Sequence, residues 1–274
     1  MRRNERIKIY LSYLLIGLAV LFFVFPIFWL GLTSFKPPRE LFSFGLPSQF
    51  TLENYLSVFR TYEMTAFLAN SLVTSLSVTA LAVVIGSLGA YGFARYRFAG
   101  SGFLLVLVLV MRMIPSISLM IPLYLMFASL GLLNTRAAVI IAQLAFVLPL
   151  AIWILEGFFR SLPKELEEAA LVDGCSRLGT FWRIVLPISA PGLAVTAIFA
   201  FLFSWNDFAL PLVLTSTPAS QTLPMALSQM SLLFGIRWDH MSAASMMYIV
   251  PTILIAALLS RFVVRGLTAG AVKG

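Results

Sequence analysis

Two ionisable side chains interrupt long apolar runs of this chain: Arg112, inside 103–130, and Asp207, inside 191–214. A charge at the centre of a membrane helix costs about 2.5–3.5 kcal/mol on the insertion scale, so each should face protein or water. For Arg112 two readings stand, a residue of a solute path or a cation snorkelling or paired near the interface. For Asp207, which follows Trp205 and Asn206, they are a path residue or a side chain bonding across a helix break. A third concentration of charge is the polar stretch 165–187, ELEEAALVDGCSRLGTFWRIVLP, set between apolar segments. It carries Glu165, Glu167, Glu168 and Asp173, and its chemistry is that of a docking surface.

Other chemistry is missing from the sequence. No Gly-x-x-x-x-Gly-Lys-Ser/Thr loop is present to cradle the phosphates of ATP. One histidine, His240, cannot build a His-rich metal site, and one cysteine, Cys175, excludes an intrachain disulfide and any Cys-based zinc or iron–sulfur site. No Ser/His/Asp set can be assembled with His240 on the correct side of a membrane. The chain is therefore not expected to be an enzyme or to bind a metal or cofactor, and His240 reads as an exposed surface residue. If the chain drives work, a partner must deliver the energy.

The polar stretch reads as two short helices broken at Gly174. Pro163 suits a first helical turn, where its missing N–H needs no partner. Glu165, Glu167 and Glu168 then occupy the turn in which the helix dipole favours carboxylates. Leu166, Ala169, Ala170 and Asp173 fall at i, i+3, i+4 and i+7, one small-sided face. Gly174 can take the left-handed turn that ends a helix. Leu178, Phe181, Trp182 and Val185 resume the helical spacing, with Ile184 and Leu186, before Pro187 closes the run.

The rest of the chain is built to hold that stretch at a bilayer. Of 274 residues, 60% are hydrophobic and 11% charged, with mean hydropathy +0.97, a membrane composition. Six apolar runs follow: 9–32, 67–93, 103–130, 137–159, 191–214 and 243–264. The first is roughly 36 Å long as a helix, enough to span, and it lacks the cleavage site of a signal peptide. Pro115 and Pro122 predict a kinked or broken third span. Along the second, Ser71, Ser75, Thr79, Ala82, Gly86 and Ala90 form a small side for close helix packing. The net charge of +8 would suggest nucleic acid in a soluble protein, but these cations sit at span ends. Thirteen of the 19 Lys and Arg fall on one side: four within 2–8, then Arg95, Arg97, Arg160, Lys164, Arg177, Arg183, Arg261, Arg265 and Lys273. Lys36, Arg39, Arg60, Arg136 and Arg237 fall on the other. The positive-inside rule then puts both termini and 165–187 in the cytoplasm, and Asp207 about 24 Å from the inner edge.

The residues now resemble a known family. Glu168-Ala169-Ala170, Gly174 and Ile184-x-Leu186-Pro187 look like the EAA loop of permease subunits of bacterial ABC importers. Four further stretches agree in order: Asn70-Ser71; Ala90-Tyr91-Gly92-Phe93-Ala94-Arg95 with Phe98-Ala99-Gly100; Trp205-Asn206-Asp207-Phe208; and the ending Gly266-Leu-Thr-Ala-Gly-Ala-Val-Lys-Gly274. The set is similar to the six-span carbohydrate permeases of the maltose-transporter type.

The resemblance implies an all-α, polytopic membrane protein of six transmembrane helices, the transmembrane domain of a type I ABC importer in the bacterial inner membrane. Residues 1–66 would form the N-terminal tail, first span and outer loop. Residues 67–265 would form the transmembrane core with a coupling loop at 160–190, and 266–274 a cytoplasmic tail. Implied partners are a homologous second permease subunit, two ATP-binding subunits holding ATP and Mg, an extracytoplasmic solute-binding protein, and a sugar. No nucleic acid is expected. Glu168 would contact the ATPase, Ala169 and Ala170 would allow close approach, and Gly174 would supply the turn. Asp173, Ile184, Leu186 and Pro187 complete the coupling set; Asn70, Arg112, Trp205, Asn206 and Asp207 are path or gate candidates. Asp207 departs from the family, which often has Glu there. Glycerol phosphate is the alternative cargo.

Overall fold

A computed structural model of the chain describes residues 3–233 and 237–271. The expected tail contact at Lys273, and the side chains of Arg261 and Arg265, lie outside the described residues. The described residues hold no strand. Four helices are long and apolar enough to cross a membrane, and six spans result if each of two bent pairs is one span. The fold is therefore all-α and multi-pass, as hydropathy predicts. Packing divides the chain into two units, 1–64 with 227–250, and 65–226 with 251–274.

In the first unit, α1 (Arg3–Ser34) is followed by the short α2 (Glu53–Thr61). Asn54 fastens the two, its side-chain amide donating to the carbonyls of Ser34 at 2.9 Å and Lys36 at 2.8 Å. Those carbonyls have no helical partner at the end of α1, so a buried amide satisfies them. Lys36 is itself buried, its ammonium 4.6 Å above the Trp29 ring and donating to the Ser43 carbonyl. His240, near the start of α13 (Trp238–Ala271), is a correction to the sequence reading. It is 1% exposed, edge-on to Tyr62 at 5.8 Å, beside an Asp239–Arg237 ion pair at 2.6 Å. Neither ring nitrogen meets a hydrogen-bond partner among the described residues.

The second unit is built on α3 (Met64–Arg95), α6 (Arg136–Ser161) and α10 (Ala190–Asn206). Val78 and Ala82 of α3, Val147 and Ala151 of α6, and Ala200 of α10 form one buried cluster. The small side of α3 is what lets them meet. A Cβ on Gly86 would stand 3.0 Å from that of Ala151, and Ser71, Ser75, Ala82 and Ala90 are buried along the same side. On α10, a Cβ on Gly192 would fall 2.7 Å from the Phe158 ring, so only glycine fits that crossing.

The third apolar run is broken, as its prolines predict. It forms α4 (Ser101–Met111) and, after a short helical turn at Ser116–Leu119, α5 (Met120–Ser129), bent by 88° at the break 112–115, which holds Pro115. The fifth run differs from a single span. α10 stops at Asn206 and α11 (Ala209–Leu214) restarts after a two-residue gap. α11 packs with α5 and α6 through Leu210, Leu214, Phe127, Ala138 and Ala142.

Candidate functional site: the helical knob and the polar seam

The stretch between α6 and α10 folds as a knob of short helices. α7 (Glu165–Val172) carries its three glutamates in the first turn, but Pro163 lies before it, with Lys164 as the flanking residue. The helix ends on two crossed hydrogen bonds. Cys175 N–H donates to the Ala170 carbonyl at 3.0 Å, and Gly174 N–H donates to that of Leu171 at 3.1 Å. This pairing is the Schellman ending, and it requires the φ of +86° that Gly174 adopts. Ser176 then caps α8 (Arg177–Thr180), its hydroxyl accepting from Gly179 N–H at 3.1 Å.

Gly174→Ala is expected to destabilise the turn by roughly 1–2 kcal/mol, because an L side chain meets its own backbone at that φ. Gly174→Asn, which tolerates the left-handed region, should retain most of the stability. Thermal melting of the purified permease checks this; equal melting of the Ala and Asn variants would contradict it.

The helix does not close at Pro187. A wider π-helical turn, Phe181–Val185, runs into α9 (Leu186–Ile188), and the bend comes at Ser189, 79° from the axis of α10. A proline ring clashes with the carbonyl four residues back, and widening the preceding turn relieves that clash. Phe181 and Val185 are buried against Ala90 of α3 and Leu155 and Phe159 of α6, with half-buried Leu186 packed on them.

The two adjacent glutamates of α7 part company. Glu167 turns inward: its carboxylate accepts from Tyr91 Oη at 2.7 Å and from Arg95 Nε at 2.6 Å. Both side chains of the ion pair are nearly out of solvent, Arg95 8% and Glu167 12% exposed. Arg95 also donates to the Leu162 carbonyl at 3.2 Å, and Arg177 lies over the Tyr96 ring at 5.6 Å. The knob is thus bolted to the end of α3. Ala170, one turn on from Glu167, shares that inward face and is 4% exposed, whereas Ala169 is exposed. Glu168 is exposed and forms no ion pair among the described residues. Elsewhere on the knob Leu166, Leu171, Val172, Leu178 and Trp182 stand exposed, Val172 at 87%. Asp173 and Pro187 are exposed and Ile184 is half-buried.

The path candidates are scattered over the second unit. Asn70 is fully buried and donates to the carbonyls of Pro218 at 2.9 Å and Gln221 at 2.8 Å, pinning the loop that follows α11 to α3. Trp205 is 1% exposed and stacks on Phe201 at 5.5 Å. Asp207 bonds across the break between α10 and α11. One carboxylate oxygen accepts from Ala209 N–H at 3.1 Å, and the other accepts from the Gln143 amide at 2.9 Å. Gln143 accepts in turn from Ser204 Oγ at 2.6 Å, which lies 3.3 Å from Ser75 Oγ. A polar seam therefore joins α3, α6 and α10 inside an apolar bundle. Asn206 and Arg112 are the candidates with exposed side chains; Asn206 donates to the Leu202 carbonyl at 2.6 Å.

Sequence reasoning did not single out Glu167 as the inward acid, nor Gln143. A lone glutamine within the run 137–159 was the available signal for the seam. Glu156, buried near the end of α6 and paired with Arg160, was a second.

Comparison with known proteins agrees with this architecture. Residues 82–268 match the family described as binding-protein-dependent transport system inner membrane component. The chain is 38% identical over 267 residues to the trehalose transport system permease protein SugB of Mycobacterium tuberculosis, covering 96% of each chain. It is 35% identical over 254 residues to the diacetylchitobiose uptake system permease protein DasC of Streptomyces coelicolor, covering 92% of each. Its fold is similar to a chain of a bacterial ABC transporter that imports the acidic polysaccharide alginate, with a TM-score of 0.83, 20% identity, and coverage of 96% of this chain and 99% of that one. A bundle of membrane helices with a bolted helical knob, matched over most of its length, makes this chain a member of the binding-protein-dependent transport system inner membrane components.

Proposed function

We propose that the chain is one permease subunit of an ATP-driven, binding-protein-dependent sugar importer in a bacterial cell membrane. The observation that carries this reading is the split of α7: Glu167 and Ala170 fasten the knob to the bundle, while Glu168 and a rim of apolar side chains are presented outward. A lever needs both a fixed end and a gripping end. The gripping end suits two ATP-binding subunits, which hold the ATP and Mg, and a second homologous permease completes the path. The positive-inside distribution supports cytoplasmic termini and a cytoplasmic knob. The relatives support the cargo class: their names specify trehalose, diacetylchitobiose, trehalose/maltose and arabinooligosaccharide transport.

ATP-driven closure would draw the knobs together and rock the spans between inward- and outward-open states, a shift in a two-state equilibrium. Within the bundle, Arg112 and Asn206 are the path candidates available to a passing solute, and Asn70, Trp205 and Asp207 shape its wall. Uptake of radiolabelled sugars by cells expressing the whole transporter tests the reading, beside ligand binding by its solute-binding protein. Saturable uptake of one sugar, lost when the ATPase is inactivated, is the expected result. Uptake of glycerol phosphate with no sugar transported would move the cargo to the alternative.

A further inference from the structure

A second polar feature lies beside the knob and shares Arg95 with the bolt that fastens it. Where α3 ends, α4 begins and α6 ends, a cavity of about 300 Å³ is lined by Phe93, Arg95, Arg97, Ser101, Arg160 and Lys164, among others. Four cations from two stretches of the chain, 95–97 and 160–164, face one small space. Two of them are already neutralised: Arg95 by Glu167, and Arg160 by Glu156. Arg97 and Lys164 are both exposed and form no ion pair among the described residues. The lining therefore keeps two cations, Arg97 and Lys164, that no ion pair among the described residues neutralises.

Two further observations define the ligand. The 11-residue α4 is preceded by Gly100, in the left-handed region at φ 82°, and no side chain caps it. The Ser101 N–H already donates to the Phe98 carbonyl at 3.2 Å, so the donors left beside the cations are the Ser101 hydroxyl and the next N–H groups of the helix, and a helix start with donors left over suits an oxyanion. The second is position. Only 96–100 separate α3 from α4, at most about 17 Å of extended chain, so the cavity stays at the bilayer surface. Tyr96 and Phe98 are partly exposed on that short connection, as aromatic side chains at headgroup level are.

We propose that this cavity is a binding site for a phosphate oxyanion, with Arg97 and Lys164 as its charged ligands and Ser101 and the start of α4 as hydrogen-bond donors. The phosphate comes from an anionic phospholipid headgroup or from free phosphate. The proposal rests on the orientation given under Proposed function only for the leaflet concerned, the cytoplasmic one. Lys164 immediately precedes α7, so an occupant would also steady the first turn of the knob.

The test uses the assembled transporter in nanodiscs of phosphatidylglycerol and phosphatidylcholine, with retained lipid measured by native mass spectrometry after detergent transfer. Wild-type protein is expected to retain phosphatidylglycerol over phosphatidylcholine, and the Arg97→Gln/Lys164→Gln double variant to retain at least about tenfold less. Competition by millimolar inorganic phosphate would keep the site and assign it to free phosphate; resistance to competition would assign it to the lipid. Equal retention by wild type and double variant, with both melting at the same temperature, would overturn the proposal. Retention needs no transport, so a failed sugar assay and a failed phosphate site are told apart. Arg97→Lys, which keeps the charge, should restore most of the retention when paired with native Lys164.

Discussion

Glu167→Ala is expected to destabilise the permease by about 3–5 kcal/mol, because it leaves the Arg95 guanidinium buried without its counter-charge. Arg95→Met should cost a similar amount. The double variant should cost clearly less than the two together, since two groups in direct contact do not act independently. Denaturation of the detergent-purified chain supplies the four melting points of the cycle; strictly additive losses would mean that the ion pair does not hold the knob. The functional signature is sharper. If the ATPase docks through Glu168, as proposed, it still does so in this variant, but the knob is loose on α3, so the expected phenotype is hydrolysis without import. Sugar uptake should fall at least tenfold while the assembled complex continues to hydrolyse ATP. Uptake and hydrolysis falling in step would point instead to simple loss of folded protein.

The second large effect comes from the next residue. Glu168→Lys is expected to abolish uptake while leaving membrane insertion intact and lowering stability by only about 1 kcal/mol or less, the helix-dipole contribution, because the exposed Glu168 side chain has no ion-pair partner among the described residues to lose. The charge reversal acts only where a partner surface meets it, and like-charge juxtaposition in an interface costs several kcal/mol. Copurification of the ATP-binding subunit should drop with it. Normal uptake, or undiminished copurification, would remove Glu168 from the docking surface. Two adjacent acids of one helix thus predict opposite kinds of failure, one in folding and transmission, the other in assembly.

That contrast marks how far the sequence could be read. The runs of apolar residues, the breaking prolines and the small side of α3 report local and pairwise physics, and they located the spans and their close crossings. Gly174 and the acids of the first turn likewise located α7, because helix ends obey local rules. Which acid faces inward was not local. It depends on Tyr91 and Arg95, more than seventy residues earlier, meeting α7 at the end of α3. The gap at Asp207 was similarly hidden within an apolar run: both 190–206 and 209–214 are greasy enough to pass as one rod. Only the partner on α6, Gln143, shows why the chain breaks there. His240 was misread for the same reason, since a single polar letter says nothing about the Tyr62 ring that covers it. Pro187 shows the limit of a breaker signal, because a wider turn before it lets the helix run on to Ile188.

The outward rim of the knob has one more consequence, for the cell rather than the machine. Val172 at 87%, Leu178 at 62% and Trp182 at 48% exposure leave a solitary copy of this chain with apolar surface on its knob. If an ATP-binding subunit covers that surface, as proposed, then before assembly it is the kind of surface that chaperones and membrane proteases recognise on unfinished proteins. Surplus permease would be cleared and paired permease spared, so the abundance of the subunits would be balanced by turnover as well as by synthesis.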